Sequence, residues 1–70
     1  MDEMVKKWVQ TLYADEINDT LRALSNERLW LKGSTTAKEQ NSHIENIRRY
    51  EEYIETLEGL KESFILKNEG

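Results

Sequence analysis

The chain has 70 residues, no cysteine, no proline and a net charge of −4 from 14 acidic and 10 basic residues. That length allows one domain with a marginal core, and the missing cysteines exclude disulfides and thiolate metal sites as remedies. The acidic balance disfavours nonspecific binding to DNA, RNA or anionic lipid, and the longest apolar run is Phe64–Leu66, so neither a bilayer span nor a signal-peptide core is expected.

Other routes to stability are few. A lone His43 cannot build a histidine cluster for zinc. Self-association is the remedy left, and the default compartment is the cytoplasm, which the absence of cysteine fits. Many Glu, Lys, Leu and Arg residues without proline favour helix throughout, and no repeat or low-complexity segment interrupts the chain. The expected fold is all-α: an antiparallel helical hairpin with a separate short N-terminal helix or a continuous first arm, oligomerising into a bundle.

Residues 2–13 open the chain. Met1, Met4, Val5, Trp8, Val9 and Leu12 share one helical face, and Asp2 and Glu3 suit a helix N-terminus, where the dipole favours negative charge. Ile17, Leu21, Leu24 and Leu31 form a second stripe over residues 15–32, with Arg28 in the seam between them. On one continuous helix this stripe lies roughly opposite Val5, Trp8 and Leu12. Either the chain breaks or kinks near Ala14–Asp15, with Asp15 capping a new helix, or one helix continues and faces two partners. The break is the preferred reading.

The turn follows at Lys32–Gly33–Ser34–Thr35–Thr36. Gly33 sits where a left-handed glycine would end the preceding helix, and Lys32 suits its negative end. Thr36 and Glu39 have capping-box spacing, as do Ser42 and Glu45. Because Ala37 to Gln40 are good helix formers, the last helix is placed at 36–67, with Asn68 to Gly70 frayed. Two arms of nearly equal length joined by a short turn lie antiparallel, which pairs Leu24 with Ile44, Leu21 with Ile47, Ile17 with Tyr50 and Trp8 with Leu60.

The last helix carries the argument for association. Ile44, Ile47, Tyr50, Ile54, Leu57, Leu60, Phe64 and Ile65 recur at steps of three and four. With Tyr53 they cover an arc of about 200°, against about 100° for a helix with one buried stripe. One companion helix cannot cover that arc. The expected oligomer interface is therefore Trp8, Ile47, Tyr50, Tyr53, Ile54, Leu57, Leu60 and Phe64.

Chemistry-bearing patterns are sparse. No carboxylate pair, Ser/His/Asp set or glycine-rich phosphate loop is present, so the chain is read as a non-enzyme without catalytic residue, metal or cofactor. Glu51, Glu55, Glu58 and Glu62 have the spacing of a carboxylate ladder, but a di-iron site needs Glu-x-x-His and Gln40 stands three before His43. The turn end does gather positive charge beside aromatic surface. Arg28, Trp30, Lys32, Thr35, His43, Arg48 and Arg49 could hold an anionic ligand through charge-assisted bonds and stacking. The plainer reading has Trp30 packing on a neighbouring subunit and the arginines paired with Glu45 and Glu52. His43 could titrate near neutral pH, or serve as a satisfied residue of the helical seam. Arg28 and Lys61 interrupt apolar seams, a placement that commonly sets register or oligomer state.

With Asn26–Glu27–Arg28–Leu29–Trp30 at the end of one arm, the chain resembles the small phage-encoded helical-hairpin proteins that blunt bacterial defence, among them sponges for cyclic-nucleotide immune signals. The resemblance implies a compact oligomer in a host cytoplasm, with a nucleotide-type signal held at subunit junctions by aromatics, Arg, Lys and Thr. Two functions follow as expectations. One is an oligomeric binding protein that sequesters such a signal. The other is an adaptor or inhibitor that grips a host protein through exposed Trp8, Tyr53 or Phe64. The expected partners are thus further copies of the chain together with a nucleotide-type small molecule or a host protein, without DNA or membrane.

Overall fold

The structure, a computed structural model, describes residues 2–68. Two helices, α1 (Glu3–Gly33) and α2 (Ala37–Asn68), pack against each other as an antiparallel hairpin. Met1, Glu69 and Gly70, which the sequence reading assigned to the first apolar face and to a frayed end, lie outside the described residues. Asn68 is the last residue of α2, and its side-chain amide donates to the Phe64 carbonyl (2.8 Å).

Each helix starts and stops for a local reason. Asp2 caps α1 by accepting from the Met4 N–H (3.1 Å), which satisfies one of the donors a helix start leaves open. The Thr36 hydroxyl accepts from the Glu39 N–H (3.2 Å), so α2 starts at Ala37 and Ser42 lies within the helix. The end of α1 departs from expectation. No glycine among the described residues takes a positive φ. Ser34, in extended conformation, ends the helix instead: its N–H donates to Leu31 O (3.2 Å) and its hydroxyl to Trp30 O (2.8 Å). With those carbonyls satisfied, a left-handed residue at Gly33 is unnecessary.

The expected break at Ala14–Asp15 is absent, and α1 runs unbroken through both residues. The reason lies in which side chains face α2. Tyr13, Ile17, Thr20, Leu24, Glu27 and Leu31 are among the buried or half-buried side chains of this face, at alternating steps of four and three, and half-buried Lys6 and Gln10 continue the spacing toward the N-terminus. That heptad seam needs no change of helix phase at Ala14. The apolar residues alone suggest a phase change because two seam positions are polar and because Met4, Val5, Trp8 and Leu12 face outward. On α2 the matching seam is His43, Ile47, Tyr50, Ile54, Leu57, Lys61 and Phe64. Thr20 tolerates its place because its hydroxyl donates back to the Glu16 carbonyl (2.8 Å). Arg28 is not in the seam; its side chain is well exposed, and Glu27 occupies that position.

Contacts across the arms report the register. Glu27 meets His43 and Glu16 meets Tyr53. With Glu27 also reaching Asn46 and Arg28 reaching Glu51, every α2 partner lies further toward the C-terminus of α2 than the pairing of Leu24 with Ile44 and Ile17 with Tyr50 implies. The apolar pairing went astray because it left out the Glu27–His43 pair, which sits next to the turn.

The hairpin is a thin rod. Its Cα extents are 52 × 16 × 10 Å, and its radius of gyration is 16.1 Å, against about 11 Å for a compact chain of this length. Leu24 (4% exposed) and Leu57 (7%) are its buried hydrophobic side chains. Truncating either one therefore removes a large share of the core. Leu24→Ala or Leu57→Ala should cost about 2–4 kcal/mol in denaturant unfolding followed by circular dichroism, whereas Leu29→Ala, on the exposed face, should stay within about 0.5 kcal/mol. Equal losses at all three positions would contradict this seam.

Candidate functional site

The densest polar cluster lies next to the turn. Glu27 is buried in the α1 seam (6% exposed), and its two carboxylate oxygens are taken by α2: His43 Nδ1 donates to Oε2 (2.6 Å) and Asn46 Nδ2 to Oε1 (3.4 Å). The Trp30 ring stands over the same histidine, with centroids 6.2 Å apart and planes tilted by 44°. The His43 and Asn46 donors stand one helical turn apart on the α2 face opposite Glu27, and Trp30 follows Glu27 by three on α1. A buried carboxylate is tolerable only when its lone pairs are bonded, and here they are. Sequence reasoning singled out His43 and Trp30 but missed Glu27 and Asn46. The usable signal was that Glu27 falls in step with Thr20, Leu24 and Leu31.

The remaining residues expected to bind an anion are dispersed and largely neutralised. Arg28 pairs with Glu51 across the arms (3.4 Å). Arg48 pairs with Glu52 (3.3 Å) and Arg49 with Glu45 (2.8 Å), each one turn apart on α2. These four α2 residues line a shallow depression of about 230 Å³ in which the charges balance. Lys32 and Thr35 are exposed at the turn, and Trp30 is 57% exposed. The structure thus joins His43 to Trp30, and leaves the three arginines on separate ion pairs that are exposed and individually weak.

A larger groove of about 490 Å³ lies toward the open end, away from the turn. Ala14, Ile17 and Asn18 form one wall; Lys61, Ile65 and Leu66 belong to the other, with Glu58 and Glu62 at its rim. It exists because α1 presents the small Ala14 where α2 presents Lys61, and a lysine lays its stem along apolar surface rather than filling a seam. Sequence reasoning marked Lys61 as a seam interruption but did not foresee the groove.

The residues expected to form an oligomer interface divide in two. Leu57 is buried between α1 and α2, and Ile47, Tyr50, Ile54 and Phe64 are half-buried in the same seam. Trp8, Tyr53 and Leu60 are exposed. For Leu57 the expectation is corrected: the register turns it toward α1. The exposed Tyr53 hydroxyl bonds Glu16 (3.1 Å), and that hydrogen bond, assisted by desolvation and by the carboxylate's charge, raises its pKa above 10.0.

Among the described residues no helix is long and apolar enough to cross a membrane, and no three His, Asp or Glu side chains converge on a metal position. Comparison with protein-family models, with curated proteins and with solved structures finds no match.

Two predictions follow from this geometry. Glu27→Ala should cost about 1–3 kcal/mol, because it strips the partner from His43 and Asn46. Replacing Glu27 and His43 together by leucine should recover most of that loss; a double variant no more stable than Glu27→Ala would contradict the pairing. Tyr53 should titrate above the ordinary tyrosine range and return toward it in Glu16→Ala, read by ultraviolet titration against a Tyr53→Phe baseline. A folded-state pKa above the unfolded value means that the neutral phenol favours the fold. The contribution is therefore complete below pH 10 and lost as pH rises through the folded pKa.

Proposed function

We propose that this chain is a non-enzymatic helical hairpin that assembles into an oligomeric bundle and binds its ligand where copies meet. One observation carries this reading: two helices bury only Leu24 and Leu57, while eleven large hydrophobic side chains among the described residues remain exposed. A rod with so small a core needs further helices to cover it.

For the ligand, a nucleotide-type signal is the first reading. It rests on the exposed Trp30 ring beside His43, with Lys32 and Thr35 close by in sequence at the turn. An aromatic face stacks a base, while lysine and threonine donate to phosphate. The resemblance to the phage sponges points the same way. The ion pairs on Arg28, Arg48 and Arg49 must then open or be supplemented by a second copy to balance an anion. The second reading is an adaptor or inhibitor of a host protein, favoured by the ridge of Met4, Val5, Trp8 and Leu12 that α1 turns away from α2.

Light scattering should return a mass that is a multiple of 8.3 kDa. A panel of cyclic di- and trinucleotides and ADP-ribose derivatives should include one that raises the melting temperature, because ligand binds only the folded form. The rise should vanish in Trp30→Ala. A flat response across the panel, with the Trp30→Ala variant indistinguishable from the parent, rejects the nucleotide reading and leaves the adaptor.

A further inference from the structure

We infer that the side of the hairpin marked by the Glu16–Tyr53 bond is the face on which a second copy docks, in a two-fold four-helix bundle that lays α1 of each copy antiparallel along α2 of the other. This rests on the assembly reading above and adds which surface assembles and in which orientation.

The face follows from one contact and from helical geometry. The Tyr53 hydroxyl of α2 donates to Glu16 of α1, so both side chains lie on the same side of the hairpin. At about 100° per residue, Val5, Val9 and Leu12 project within about 40° of Glu16 on α1, and Leu60 and Phe64 within about 20° of Tyr53 on α2. Both sets stand between that bond and the open end. Val5 is 43% exposed, Leu12 and Leu60 are each 49% exposed, and Val9 and Phe64 are half-buried. The two carboxylates that α1 turns to this side are already bonded, Glu16 to Tyr53 and Glu27 to His43 and Asn46. Trp30 also projects within about 40° of Glu16, so the ring of the proposed ligand site lies at the junction. The opposite side carries the Arg28–Glu51 pair and, beside the groove, Glu58 and Glu62.

Three observations select a second copy and this orientation. The first is area. The chain exposes 5562 Å², whereas a compact monomer of 8.3 kDa exposes about 4,600 Å². The excess of about 1,000 Å² is close to the roughly 800 Å² that each partner contributes to a standard interface. The second is charge. Two copies of a chain with net charge −4 repel, so they meet at least cost through the side poorest in free charge. The third is the sign of the charges that border the face. Exposed Asp19 borders it on α1 and exposed Arg49 on α2, each about one helical turn nearer the turn than the Glu16–Tyr53 bond. Laying α1 on the other copy's α2 brings unlike charges together, and an isologous contact does so twice. Arg49 already holds Glu45, but that pair is exposed and weak enough to be shared. Laying α1 on the other copy's α1 would instead set Glu16 and Asp19 of both copies against each other near the middle of the face, where like charges oppose.

Sedimentation equilibrium on the full chain tests both the face and the orientation. Leu60→Glu should raise the dissociation constant about 30-fold or more, because it puts an unpaired charge into the apolar patch. Leu29→Glu, at an exposed leucine away from the face, should leave the mass unchanged. Asp19→Arg and Arg49→Asp should each weaken association about three- to tenfold, and the two together should restore it. These charge variants leave every apolar side chain in place, which keeps the test independent of any loss of helix in Leu60→Glu. An oligomeric parent whose mass survives Leu60→Glu would overturn this face and leave the assembly reading standing. A double charge variant no tighter than either single one would overturn the orientation. A parent that stays monomeric up to millimolar chain would overturn the face and the assembly reading together.

Discussion

Two antiparallel helices can cover one stripe of each other, and the rest of both circumferences must find another use. In this chain the covered stripe is a heptad seam from Tyr13 to Leu31 on α1 and from His43 to Phe64 on α2. It is interrupted by Thr20, Glu27, His43 and Lys61, so even the shared face is not a continuous apolar core. Hydrophobic burial is the main favourable contribution to folding, and side chains that remain half in water contribute only part of it. The same constraint accounts for the rod shape, the few buried side chains and the apolar ridges left outside.

The polar seam residues divide the labour with the apolar ones. Leucine and isoleucine attract without direction, so a seam made only of them would tolerate a slip by one turn. Glu27 tolerates no such slip, since moving it away from His43 and Asn46 would leave a carboxylate buried without partners. It therefore acts as a register pin at the turn end, as single polar residues do in other helical seams. Lys61 has the opposite effect at the open end, where its stem borders a groove instead of filling the interface. The hairpin is pinned at one end and loosely packed at the other. The uncovered apolar side chains Met4, Val5, Trp8 and Leu12 also belong to the loosely packed end.

Much of this was legible in the residues. The hairpin followed from two arms of similar length and a short turn, and the start of α2 from the Thr36–Glu39 spacing. Continuity through Ala14 was not legible, because periodicity was traced through apolar side chains. A seam that includes Thr20 and Glu27 looks broken to that tracing. The register was misread for the same reason, and the terminal cap because Ser34 does what a glycine was expected to do. At the turn, the identity of His43 and Trp30 as notable residues was readable, while their grouping around Glu27 needed the register. The neutralisation of Arg48 and Arg49 was readable in part, since Glu52 and Glu45 stand one helical turn away.

On the proposed reading, folding of this hairpin is coupled to its assembly. The most direct measurement is the concentration dependence of the thermal midpoint, followed by circular dichroism from micromolar to millimolar chain. If assembly contributes the missing burial, the midpoint climbs steadily with concentration, because mass action favours the associated folded form. A midpoint that stays constant across that range, with a single cooperative transition, would mean that the two helices suffice by themselves and would contradict the account.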